Sequence, residues 1–340
     1  MKQAVRRRAA RVLAVATILA VWSLFAPLAT GAQQAGPMRR IGVLMGLAED
    51  DGQAQARLAA FRDGLESLGW VEGRNIRLDI RWTTTSDAPA LQRLAKELVA
   101  LQPDLILSHN TPTTAMLRRY TPTIPIVFAV VSDPIGTGFV QSFPRPGGNV
   151  TGFTNIEPTM ASKWLELLKE IAPRVTRAAF LFNPATAPYA EYYLGPFRVA
   201  AASLALEAIA VPVRSTPELQ SAMAAQARTP NSGLVVMTDS FLVAHRADII
   251  SLAAQHRLPT IYPFRDFIEA GGLLSYGNDL LDNFRRAATY ADRILRGATP
   301  SELPVQGPVK FELVINVKTA KALGLTIPPS LLLRADRVVE

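Results

Sequence analysis

The chain of 340 residues has no cysteine and only three histidines. The first absence excludes disulfides, thiolate metal sites, a cysteine nucleophile and the lipid-bearing cysteine of a lipoprotein, so stability has to come from packing. His109, His245 and His256 have no metal-ligand spacing between them, and each reads as a solvated or capping residue. Neither a metal nor a cofactor is expected. Catalytic signatures are missing as well. Leu273 stands where a G-x-S-x-G around Ser275 needs glycine, Gln141 falls where the third glycine of a G-x-G-x-x-G from Gly136 belongs, and no Gly-Lys-Ser or Gly-Lys-Thr closes a phosphate loop. Asp50 and Asp51 are adjacent carboxylates on an early loop and read as solvent-facing. Aromatic residues make up 7% of the chain and no basic patch is interleaved with them, which argues against nucleic acid as a partner.

What is present is ample material for buried sheets, with 49% apolar and 19% charged residues, and a length that fits two ordinary domains. The net charge of +8 is misleading. Lys2, Arg6, Arg7, Arg8 and Arg11 supply five of those charges within residues 1–32, which carry no acid, leaving +3 for the remainder. That basic start, the apolar run Val12 to Leu28 and the small residues Ala29 to Ala32 read as an export signal cleaved after Ala32. An uncleaved anchor is the alternative, and Ser23 and Pro27 interrupt the run it would need. The arginine cluster also leaves twin-arginine export open beside the general route.

From Arg39 onward, short β-branched runs alternate with segments of helical period, the pattern of parallel sheets covered by helices on both faces. Strands are expected at 40–45, 76–82, 105–108 and 126–131, with helices at 53–68, 89–101 and 113–119 between them. Leu58, Phe61, Leu65 and Leu68 form the apolar stripe of the first helix. The breaker-rich stretch Phe143 to Asn149 approaches a boundary, after which the pattern restarts with strands at 177–182, 208–213, 233–237, 260–261, 273–276 and 311–316. Pro328-Pro329 and a charged tail end the chain.

In open α/β sheets, ligands bind beyond the carboxyl ends of strands. Polar residues cluster there in this sequence. Ser108, Asn110, Thr111, Thr113 and Thr114 lie between a strand and a helix, where hydroxyls and free N–H groups suit a carboxylate. Plain capping needs only one of them. Asp133 ends the strand 126–131 and could pair with a ligand ammonium, or cap the next segment of the chain. Asp239 and Ser240 hold the corresponding place in the second half with the same ambiguity. Tyr189, Tyr262 and Phe264 sit near strand ends and could stack on an apolar ligand.

Several segments together resemble the solute-binding proteins of ATP-binding-cassette importers, in the family that includes tryptophan- and phenylalanine-binding members. They are Arg40 to Leu44, Phe61 to Leu65, Gly69 to Asn75, Ser132 to Gly136, Pro146 to Gly152, Gly271 to Gly277 and Lys318 to Leu325. The resemblance implies an α/β fold of the type I periplasmic-binding class: two Rossmann-like open parallel-sheet lobes joined by three crossing strands. It places lobe 1 at 38–155 plus 274–304 and lobe 2 at 156–273 plus 305–340, with crossings near Phe153 to Glu157, Gly272 to Tyr276 and Leu303 to Gly307. It further implies that the turn Asn110 to Thr114 holds a carboxylate, that Asp133 holds an amine, and that Asp239 makes another contact. Gly46 to Asp51 offers no aromatic to stack on an indole, so a single amino acid, or another small carboxylated or amide-bearing solute, is the expected ligand. The implied partners are that solute, an ABC permease and, through it, an ATPase. The implied site of action is the periplasm, with contact to membrane only through the permease or the signal segment. No reaction is implied. A sensory binding protein serving a receptor and an exported α/β enzyme are the alternatives.

Overall fold

The central strands of this chain are buried on both faces, and the computed structural model, which describes residues 38–155 and 157–340, covers them with helices accordingly. The expected export segment at 1–32 lies outside the described residues. The first half runs β1 (Arg39–Met45), α1 (Gly52–Ser67), β2 (Ile76–Trp82), α2 (Ala88–Ala100), β3 (Leu105–Asn110), α3 (Thr111–Arg118), β4 (Ile126–Val131) and β5 (Val150–Thr154). Next come α4 (Met160–Ile171), β6 (Arg177–Phe182), α5 (Ala190–Ser203), β7 (Glu207–Pro212), α6 (Thr216–Ala227), β8 (Ser232–Val236), α7 (Ser240–Ala244), α8 (Arg246–Gln255), β9 (Thr260–Tyr262), α9 (Arg265–Glu269) and β10 (Leu274–Asn278). The chain closes with α10 (Leu280–Leu295), β11 (Phe311–Asn316), α11 (Val317–Ala322), α12 (Pro329–Arg334) and β12 (Arg337–Val339).

Among the described residues these strands form two sheets. One is five-stranded and parallel in the order β2-β1-β3-β4-β5; the other is seven-stranded in the order β12-β11-β10-β9-β8-β6-β7, with β10 and β11 antiparallel. The run β7-β6-β8-β9-β10 repeats the order of the first sheet, strand for strand. β1 and β6 both stand second from the edge of the repeated order. Each unit has its strand order reversing between the first and third strands, at β1/β3 and at β6/β8, and a crevice opens at the carboxyl ends there.

The chain crosses between lobes three times: from β5 to α4, from β10 to α10, and again before β11. α10 returns to the first lobe, where it packs along α1 and against β3, β4 and β5. Its inner face is small and apolar (Phe284, Ala287, Ala288, Ala291), and Gly64 of α1 meets Ala288 so closely that a Cβ there would stand 2.8 Å from the alanine methyl. Asp279 caps α10 by accepting from the N–H groups of Leu281 and Asp282.

Two expectations are corrected. Leu274–Asn278, placed with lobe 1 from the resemblance, pairs with β9 and β11 and so stands in the second sheet; the crossing falls at Asp279, several residues after the Gly271-Gly272 turn that closes α9. The first sheet also has a fifth strand, β5, that the breakers before it obscured. The tail after Pro328 adds a helix and a strand. Pro329 occupies the first helical position of α12, where a missing N–H costs nothing, and β12 then adds to β11 with Asp336 accepting from Leu313 N.

Gly152, in β5 beside an irregularity in β4, has φ +150°, and a Cβ there would lie 2.0 Å from the Phe128 carbonyl oxygen. Gly152→Ala is expected to cost about 2–4 kcal/mol, the size typical of steric strain in a buried strand. Urea unfolding of the two proteins measures this, and a loss below ~1 kcal/mol would show that β4 and β5 can separate freely.

Candidate functional site

At the facing switch points a narrow cavity of about 30 Å³ lies between the lobes, room for one or two waters. The first lobe lines it with Leu47 after β1, Arg57 of α1, His109, Asn110 and Thr111 at the β3–α3 junction, Val130, Asn155 and Leu280. The second lobe supplies Tyr189, Thr238, Asp239, Ser240, Val243 and Phe264. A wider groove of about 1030 Å³ sits at the opposite, amino ends of the first sheet, near Arg39, Pro122 and Thr299, but it is shallow and open. The small cavity is the candidate, because buried polar side chains from both lobes converge on it.

The two β-to-α junctions are built alike. Asn110 caps α3, its Oδ1 accepting from Thr113 N, while the Thr113 hydroxyl accepts from Asn110 N in return. Asp239 caps α7 by accepting from Phe241 N and Leu242 N, and it also accepts from Asn183 N after β6 and from the Thr186 hydroxyl. Burial raises the Asp239 carboxyl to about 6, and those four donors oppose the rise without cancelling it. Tyr189 donates to Thr238 O at 3.1 Å and reaches Ser132 and Thr111 on the other lobe; burial, then the Asp239 charge, pushes its phenol up.

Arg57, 2% exposed, is the principal residue that sequence reasoning missed. Its Nη2 donates to Asp266 Oδ2 of α9, across the interlobe gap, at 2.5 Å, and its Nη1 lies 3.0 Å from His109 Nε2. His109 Nδ1 in turn accepts from Gly46 N at 3.2 Å. Burial, and then the Arg57 charge, holds the imidazole well below its ordinary pKa, so His109 is neutral. Arg57 precedes Phe61 and Leu65 at four-residue steps, so it lies on the buried stripe of α1. A lone arginine in register with that stripe was the available signal. Further contacts cross the gap: Arg246 to Asp51 at 2.8 Å, and Asn155 Nδ2 donating to the Thr238 hydroxyl at 2.6 Å.

Of the residues expected at the site, Asn110, Thr111, Tyr189, Asp239, Ser240 and Phe264 line the cavity. The others do not. Thr113 and Thr114 are fully buried behind the turn, bonded to Ser108 and to the Asn110 backbone, because two hydroxyls are used to brace it. Asp133 is spent on a local turn, accepting from Gly136 N at 2.7 Å, and stands outside the cavity beside Tyr192 of the second lobe, whose phenol is raised by burial and then by Asp133. Tyr262 is core, stacked on Phe267 at 4.9 Å. His245, expected to be solvated or capping, pairs with Asp248 at 3.0 Å. Asp51, expected to face solvent, caps α1 and holds Arg246. Among the described residues no group of three or more His, Asp or Glu could hold a metal ion, and no helix is long and apolar enough to cross a membrane.

Two lobes of repeated parallel-sheet topology, three crossings and a polar cavity between facing strand ends define a type I periplasmic binding fold. The chain belongs to the ABC transporter substrate-binding protein family, which matches it over residues 40–339. It is similar to a conserved domain protein of Vibrio cholerae, 30% identical with a TM-score of 0.80, covering 88% of this chain and 99% of that one. It is also similar to an ABC domain from Streptococcus pneumonia solved in complex with L-Trp, 26% identical with a TM-score of 0.80, covering 89% of this chain and 100% of the other. A tyrosine-binding protein of Clostridioides difficile is 26% identical over 265 residues, 78% of this chain and 75% of that one.

Asp266→Ala, which strands the Arg57 charge in the interior, is expected to destabilise the fold by about 3–5 kcal/mol, whereas the apolar double replacement Arg57→Met with Asp266→Leu should fall close to wild type. Chemical denaturation of both decides it, and equal losses would mean that the pair matters through shape alone.

Asp239 gives a pH signature. Its folded pKa lies above the unfolded value, so its contribution to stability is greatest below pH ~4 and is lost as pH rises through about 6. Relative to Asp239→Asn, wild type is therefore expected to lose about 3 kcal/mol between pH 4 and 7, read from melting curves across that range. A pH-independent difference would show that the carboxylate is ionised at no net cost.

Proposed function

We propose that this protein captures a single amino acid with an apolar or aromatic side chain between its lobes and presents it, outside the cytoplasm, to an ABC permease. The observation that carries this reading is the mixed lining of the interlobe cavity. Buried donors and a carboxylate stand at the facing strand ends, next to an apolar wall of Leu47, Val130, Val243, Phe264 and Leu280. A zwitterion fits the first part and a hydrocarbon side chain the second. Asp239 retains acceptor capacity on Oδ2, which has one protein partner while Oδ1 has three. An ammonium group can use it. The tyrosine-binding relative and the L-Trp complex support an amino acid of this kind, and membership of a substrate-binding family supports delivery in place of turnover.

The mechanism is hinge closure. The lobes part about the three crossings, the solute enters against the strand ends, and the cross-lobe contacts re-form around it to give the closed surface that a permease reads. Localisation outside the cytoplasm rests on the basic and apolar start of the sequence.

Thermal melts of the purified protein against the L-amino acids test this. At a concentration 100-fold above Kd the right one is expected to add about 2.7 kcal/mol to the free energy of unfolding, a clear upward shift in Tm, with aromatic and large aliphatic members leading. If no amino acid moves the Tm, the reading is wrong.

A further inference from the structure

We infer that Arg57 and His109 together form an acceptor-binding subsite in the cavity wall, which takes the carboxylate of the bound solute and makes that carboxylate a condition of binding. The inference rests on the amino-acid reading above and adds the residues that enforce it, Arg57 on α1 and His109 at the end of β3.

The grounds lie in counting donors. A neutral imidazole has one N–H and one lone pair. Gly46 N–H and Arg57 Nη1–H can only donate, yet they approach opposite nitrogens of the same ring, at 3.2 Å from Nδ1 and 3.0 Å from Nε2. One of the two is left without an acceptor. Gly46 is buried and its N–H makes its hydrogen bond to His109 Nδ1, while the nearby Asn110 Oδ1 is taken by Thr113 N, so the lone pair belongs on Nδ1 and the ring proton on Nε2. Nε2–H then faces Arg57 Nη1–H, two donors side by side, and both residues line the cavity.

A pair of buried donors with nothing between them calls for an oxygen. Arg57 has its charge matched by Asp266 on Nη2, which leaves Nη1 for a ligand, and Asn110, whose Oδ1 is committed to Thr113, adds an amide nitrogen beside Gly46. A carboxylate fits this set in both charge and number of acceptors, whereas a neutral amide brings its own N–H donors toward a wall already rich in them. Burial, together with the arginine, keeps the proton count of the ring fixed across neutral pH, so the subsite holds one form.

The test compares L-tyrosine with L-tyrosinamide by calorimetry on the full protein. Wild type is expected to prefer the free acid, and His109→Phe, which keeps a ring against Phe284 but removes both nitrogens, should lower L-tyrosine affinity about 10- to 100-fold and leave tyrosinamide unchanged. Arg57→Lys, which keeps a charge for Asp266 and loses the planar fork, should act in the same direction. Discrimination equal to wild type in both variants overturns the subsite. Nitrogen-15 NMR of the histidine rings provides a reading that needs no amino acid. The signal missing from His109→Phe should be an Nε2–H tautomer in wild type and should shift when sodium acetate is added. An Nδ1–H tautomer, or no response to acetate, overturns the subsite. If neither tyrosine compound binds wild type, tyrosine is not the solute, the Tm screen above decides the amino-acid reading, and the acetate titration still decides the subsite.

Discussion

A guanidinium buried in the interior of a two-lobed protein has to be neutralised, and here the neutralising carboxylate belongs to the other lobe. Arg57 on α1 and Asp266 on α9 meet at 2.5 Å with both side chains almost wholly out of water. Taking either charge from solvent alone costs several kcal/mol, which their contact recovers only while the lobes stay in register. The pair therefore does more than add stability. It fixes how α1 lies against α9, sets the Arg57 charge beside His109, whose imidazole burial already keeps neutral, and leaves Nη1 of the guanidinium on the cavity.

The repeated strand order explains why that point is also where a solute can sit. In each lobe the order reverses between the first and third strands, so the loops there diverge and leave their helix N-termini and polar side chains unpacked against one another. The two reversals face each other across the gap. Asn110 at the β3–α3 junction and Asp239 at the β8–α7 junction cap equivalent helices, one with an amide and one with a carboxylate. That chemical difference on a shared frame gives the cavity two unlike ends, as a zwitterion requires.

Much of the frame was legible in the sequence, because a parallel strand buried on both faces is a short continuous apolar run and the helices between carry a clear period. Ile126–Val131 and the helix Ala88–Ala100 could be read almost residue for residue. The site was read less well, for a physical reason. Position after a strand end says that a polar residue stands near the crevice, and it does not say which way the side chain turns. Asp133 and Asp239 share that position, yet one closes a tight turn with Gly136 and the other reaches into the cavity. Thr113 and Thr114 followed the strand as expected and turned inward to Ser108. Arg57 escaped notice because its partner lies 209 residues away in the chain, on a helix of five residues. Local pattern cannot reveal a charge pair of that separation.

Contacts across the gap fall into two groups that respond differently when a solute arrives. Asn155 to Thr238, and Tyr189 to Thr111, lie at the cavity itself, which in this closed form is too small for any amino acid. A solute has to replace them, and because each is a polar bond that a carboxylate, ammonium or hydroxyl can reproduce, the exchange is nearly balanced. Asp51 to Arg246 lies away from the cavity lining and can re-form behind the solute. Binding strength is then set by what the empty closed form lacks: an acceptor for the donors at Arg57 and His109, and contact for the apolar wall. A ligand that supplies neither gains nothing from closure, since it only substitutes for bonds the protein already makes with itself.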